Sequence, residues 1–127
     1  MEIETGERRS RARAISNEMT RLHREHYGRG PEIVRTVFGH DHVICFLEDL
    51  YTPVERTLLE GGETAAVRET RLAFQRTMER PFRAMVEEIS GRKVRAFLSQ
   101  VHFDPDLSVE VFVLEGDHAD PATDGIA

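Results

Sequence analysis

The hydrophobic positions along the chain fall into two helix-then-hairpin units. Over residues 7–27, Ala12, Ile15, Met19 and Leu22 recur at intervals of three and four, and His26 continues the line. That spacing predicts a helix with a narrow apolar seam, flanked by Arg and Glu. It puts His26 on the seam and His23 on the wet side. Gly28 suits a left-handed C-terminal cap, and Pro31 cannot extend the helix. Residues 33–38 and 43–47 are short runs rich in β-branched and aromatic side chains around Gly39-His40-Asp41-His42, which predicts a hairpin. The second run is apolar at every position, as in a strand from the interior of a sheet.

Thr52-Pro53-Val54-Glu55 carries the signature of a helix start: a hydroxyl at the N-cap, Pro at the first position and Glu at the third. The short helix it opens ends at Gly61-Gly62. A long helix follows, with Val67, Phe74, Met78, Phe82, Met85 and Ile89 on one stripe and Val86 beside it, ending at Ser90-Gly91. On its wet side Glu79 and Arg83, and Arg83 and Glu87, are four apart and suited to pairing. Pro81 interrupts the backbone bonding, yet the stripe runs on past it, so one helix kinked over 77–81 is expected. Residues 94–103 and 107–114 read as a second hairpin, with Pro105 at the first central position of a type I turn and the Asp104 carboxylate bonding forward to the backbone. Val109, Val111 and Val113 share one face of the last strand, Phe112 and Leu114 the other, so that strand should be covered on two sides.

The fold class is therefore α+β, in the order α-β-β-α-α-β-β, with a four-stranded antiparallel sheet and helices packed on it. Residues 1–6 and the acidic stretch 116–127 read as disordered ends around one domain at 7–115. Two strands apolar on both faces exceed what helices on one side can bury. A homodimer is the expected remedy.

Composition narrows the function classes. With 39% hydrophobic and 31% charged residues in 127, the chain suits one globular domain. No run of about 18 apolar residues appears, so direct membrane insertion is not expected. The first residues lack the features of a secretory signal, and the single cysteine, Cys45, fits a reducing compartment. A cytoplasmic location follows as an expectation. The net charge of −6 argues against nucleic acid as a partner. Its distribution is uneven: seven Arg against five Glu in residues 1–30, and seven acids with no Lys or Arg in 102–127.

These segments resemble one family. Residues 22–31 (Leu-His-Arg-Glu-His-Tyr-Gly-Arg-Gly-Pro) and 50–58 (Leu-Tyr-Thr-Pro-Val-Glu-Arg-Thr-Leu) are similar to its first half. Residues 91–100, from Gly91-Arg92-Lys93 to Ser99-Gln100, and 104–114, from Asp104-Pro105-Asp106 to Val113-Leu114, resemble its second. The family is the bacterial MpsC type, named for a Na⁺-translocating, membrane-potential-generating system. The resemblance covers about residues 10–115 and rests on caps, turns and strand ends. It implies a cytosolic accessory or regulatory component, partnered with a membrane cation or bicarbonate uptake system, and it carries over no catalytic residue.

No nucleophile can be placed beside a base, so no enzyme activity and no cofactor are expected. Candidate binding residues are Arg29 in the glycine-rich loop, His42 at the first hairpin, and His102 and Asp104 at the second. They define the alternative function, a small-ligand or metal-binding module in a groove between helix and sheet near His42 and His102. Two imidazoles do not by themselves make a metal site, and none is assigned.

Overall fold

A computed structural model of the chain describes residues 2–116, and the side chains of that range from residue 6 on. These residues form three helices and four strands: α1 (Glu2–Tyr27), β1 (Ile33–Phe38), β2 (His42–Glu48), α2 (Pro53–Glu60), α3 (Thr64–Ser90), β3 (Val94–His102) and β4 (Leu107–Leu114). The sheet is antiparallel throughout, in the order β1-β2-β4-β3. Each hairpin supplies one edge strand and one central strand, and the hairpins meet through β2 and β4.

The register fixes two unlike faces. Val43, Cys45 and Leu47 of β2 stand opposite Phe112, Glu110 and Ser108 of β4, all buried. With Val34, Phe38 and Phe97 they meet Ile15, Met19 and Leu22 of α1 and Met78, Phe82, Met85 and Val86 of α3 in one core. Alternate residues point the other way: Ile44, Phe46, Val109, Val111 and Val113 are only half-buried, and Ile33, Val37 and Leu98 are 48%, 42% and 56% exposed. Within the described chain, then, the central strands are covered by helices on one side and not on the two expected for β4.

The caps form where the sequence places them. Thr52 Oγ1 accepts from the amide of Glu55 at 3.2 Å, and Glu55 Oε1 accepts from the amide of Thr52 at 3.0 Å. Gly91 closes α3 at φ 72°, a left-handed conformation that favours glycine. Helix α3 runs unbroken through Pro81, whose side is exposed. Arg83 pairs with Glu79 at 2.8 Å as expected, whereas the Glu87 carboxylate accepts from the amide of Val94 at 2.8 Å.

Three further expectations need correction, and one falls outside the described residues. Helix α1 begins at Glu2, so residues 2–6 belong to it rather than to a loose end. The tail expected at 116–127 lies, from residue 117 on, outside the described residues. His23 is buried at 3% exposure and His26 is exposed; the core-facing line runs Met19, His23, Tyr27 at intervals of four, because Phe74 and Phe82 offer rings for His23 to pack on. At the second hairpin the Asp104–Pro105 bond is cis, and the anchoring carboxylate belongs to Asp106, which accepts from the amides of Leu50 and Tyr51 at 2.6 and 2.7 Å. Asp106 ties the β3–β4 turn to the start of α2, a long-range contact that local turn chemistry does not anticipate.

Candidate functional site

Two features stand out: the bare face of the sheet and a buried polar cluster under α3. On the bare face Ile44 stands beside Val37 and Val111, and Val111 beside Leu98, so an apolar band crosses all four strands. Two charged side chains frame it on the β1–β2 side. Arg35 lies with its guanidinium 4.5 Å from the centre of the Phe46 ring, and Glu48 sits two residues further along the same face of β2. A cation over an aromatic face covers apolar surface while keeping its charge wet.

The polar cluster is built by α2, α3 and the β3–β4 turn. Arg71 of α3, 3% exposed, donates from Nε to Glu55 Oε2 at 3.0 Å and from Nη2 to Glu55 Oε1 at 3.2 Å. Its Nη1 lies 3.5 Å from both Ser108 Oγ and Asp106 Oδ1. The Tyr27 hydroxyl donates to Glu55, and the Tyr27 and Tyr51 rings flank the guanidinium. Burial alone would raise the Glu55 pKa, but the bonds from Arg71, Tyr27 and Thr52 outweigh it and hold the carboxyl below its ordinary value. Burial, with the bond to Glu55, pushes the Tyr27 hydroxyl up. A charge pair this enclosed is costly to desolvate, and it persists only because nearly every lone pair and N–H finds a partner.

Beside this cluster on the inner sheet face lies Glu110, 2% exposed and pushed up to about 8 by burial. Cys45 faces it across β2 and is likewise raised, to about 12, by burial. His23 is lowered to about 4 by burial, with its Nδ1 donating to the carbonyl of Met19 at 2.8 Å.

The residues singled out in the sequence are not brought together. His42 stands opposite Val113 and His102 opposite Leu107, six residues apart on β4, which separates the imidazoles by about 20 Å at opposite ends of the sheet. Both also lie on the face away from α1 and α3, so the groove between helix and sheet is not theirs. His42 Nδ1 lies 2.9 Å from Asp41 Oδ1, and His102 Nδ1 donates to the carbonyl of Pro105 at 2.9 Å. Asp104 is exposed in the turn beside His102. Arg29 donates to the carbonyls of Tyr51 and Asp49 at 3.0 and 2.9 Å, a clamp on the β2–α2 connection. Among the described residues no group of three or more His, Cys, Asp or Glu could hold a metal ion.

Arg71, Gln75 and Glu110 were hidden in the pattern for one reason. Each occupies a position that spacing assigns to the core, and each is polar. Val67, Arg71, Gln75 and Met78 follow at four, four and three, and Glu110 alternates with Ser108 and Phe112. A polar residue in phase with an apolar stripe is the signal that would have found them.

The four-stranded sheet, its one-sided helix layer and the punctuation at Thr52, Gly91 and Asp106 define an α+β domain built from two helix–hairpin units. Residues 7–116 match the family model described as Na+-translocating membrane potential-generating system (MpsC), and the chain belongs to that family. No curated protein and no solved structure matches it.

Proposed function

We propose that the chain is a non-enzymatic, cytosolic accessory or regulatory protein of a membrane cation or bicarbonate uptake system, and that it acts through protein–protein contacts as a homodimer joined by its bare sheet faces. The carrying observation is the apolar band from Val37 through Ile44 and Val111 to Leu98. An uncovered band of that extent marks an interaction surface. A second copy suits it because the face carries charges of both signs. Under a two-fold axis, Arg35 of one copy can meet Glu48 of the other, as a self-complementary interface requires. The family's description supports the link to a membrane system. Among the described residues no helix is long and apolar enough to cross a membrane, so the link runs through contact with partner subunits.

Light scattering on the purified chain tests the dimer: a mass about twice the 14.5 kDa of one chain is expected, and a monomer at high concentration overturns it. Affinity purification from the native host tests the role. Mass spectrometry should identify subunits of a cation or bicarbonate transporter, and a chain that retrieves only itself removes the accessory role while leaving the dimer standing.

A further inference from the structure

Between α3 and the inner sheet face lies a small cavity whose walls include His23, Arg71, Gln75, Ser108 and Glu110. It offers about 10 Å³ to the centre of a water molecule, which is room for one. Glu110 Oε2, fully enclosed, has no hydrogen-bond partner among the protein atoms. Buried polar atoms in native proteins are almost always bonded, to protein or to an ordered water.

The surroundings select the occupant. From α1, His23 faces the cavity with Nδ1 committed to Met19, so the neutral ring keeps an acceptor at Nε2. From α3 come the Gln75 amide and the Arg71 guanidinium, the latter engaged by Glu55. Cys45 of β2 and Ser99 of β3 flank Glu110 on the sheet; neither is charged, and the enclosed Ser99 hydroxyl, likewise without a hydrogen-bond partner, is not among the cavity's walls. Arg71 disfavours a cation, and an anion larger than a hydroxide does not fit. Water, with two donors and two acceptors, matches both the space and the mixed lining.

We propose that this cavity binds one water molecule, which accepts a hydrogen bond from the Glu110 carboxyl and donates to the acceptors of Gln75, Ser108 or His23. The carboxyl is held neutral by the same burial that pushes it up to about 8. Strand β4 is thereby tied to α3 through a solvent molecule rather than by direct contact.

A high-resolution crystal structure of the full chain should show one ordered water within about 3 Å of Glu110 Oε2, and a well-defined but empty cavity overturns the proposal. Urea midpoints measured in sodium chloride and in choline chloride should coincide; stabilisation specific to sodium would assign the cavity to a cation instead. The neutral carboxyl is tested by Glu110→Gln, which keeps the shape and the water contact. Between pH 4.5, the ordinary value, and about 8, the unfolded chain has lost a proton that the folded one retains. Over that window the contribution of this group to the folding constant falls about tenfold per pH unit; in the wild type His23 offsets it up to pH 6.5, so the net decline runs from pH 6.5 to about 8. Glu110→Gln should lose that decline. If it falls with pH as steeply as wild type, Glu110 is not the proton carrier and the proposal fails.

Discussion

Arg71 and Glu55, on different helices and both almost fully enclosed, face each other fork to fork, with Nε–Oε2 at 3.0 Å and Nη2–Oε1 at 3.2 Å. Glu55 is at once the third residue of a capping box and the acceptor of this buried cation. The start of α2 is thus held to α3 by one side chain serving two structures.

Arg71→Ala should cost about 3–5 kcal/mol, because it leaves the Glu55 charge enclosed without its partner. Arg71→Lys should recover only part, since an ammonium cannot reproduce the bidentate fork. Urea unfolding near neutral pH measures both. The folded pKa of Glu55 is depressed, so its contribution is present above the ordinary value of 4.5 and is lost as pH falls through the lower folded value. Arg71→Ala should accordingly raise the pH at which acid unfolding begins.

The two faces of β4 should respond oppositely to the same chemistry. Phe112→Asp puts an uncompensated charge into the core and should unfold the chain. Val111→Asp, one residue earlier on the bare face, should keep the native circular dichroism while the mass by light scattering drops from two chains to one. Unfolding by Val111→Asp to the extent of Phe112→Asp would contradict the assignment of faces.

Proline inside a helix costs about 3 kcal/mol against alanine, and substitution to alanine gives back roughly 0.4–1 kcal/mol through a freer unfolded chain. Pro81 is exposed within the unbroken α3. Pro81→Ala should therefore raise stability by about 1–3 kcal/mol in a thermal or urea melt.

His23 and Glu110 act on pH stability in opposite senses. The folded imidazole sits near 4 against an ordinary 6.5, so between those values the unfolded chain binds the extra proton and stability rises with pH. Glu110 makes it fall between 4.5 and about 8. Each slope is about 1.4 kcal/mol per pH unit, and from 4.5 to 6.5 they offset. Glu110→Gln should unmask the His23 slope, giving stability that climbs from pH 4.5 to 6.5 and then levels.

The elements were legible because their signals are local: the Thr52 box, the left-handed Gly91 and the intervals along α3 each lie within a few residues. The interior placement of β2 was legible too, since a run from Val43 to Leu47 without a polar residue suits a central strand, although its Ile44 and Phe46 side is left bare. What escaped was what the tertiary structure alone decides. His23 and His26 differ by less than one turn, and only the rings of Phe74 and Phe82 choose between them. Asp106 reads as a turn residue until Leu50 and Tyr51 arrive from 56 and 55 residues away. The histidines at 42 and 102 looked like partners because each flanks a hairpin, and the strand order sends the two turns to opposite ends.

The junction of β2 with β4 joins residues 42–48 to residues 107–113. During synthesis β2 leaves the ribosome with an apolar surface and one unpaired edge, and it waits for almost the whole remaining chain before its neighbour exists. An open, greasy edge is the place where nascent chains stick to one another. Slow translation between the two hairpins should therefore lower the soluble yield of this protein more than equal slowing after Leu114.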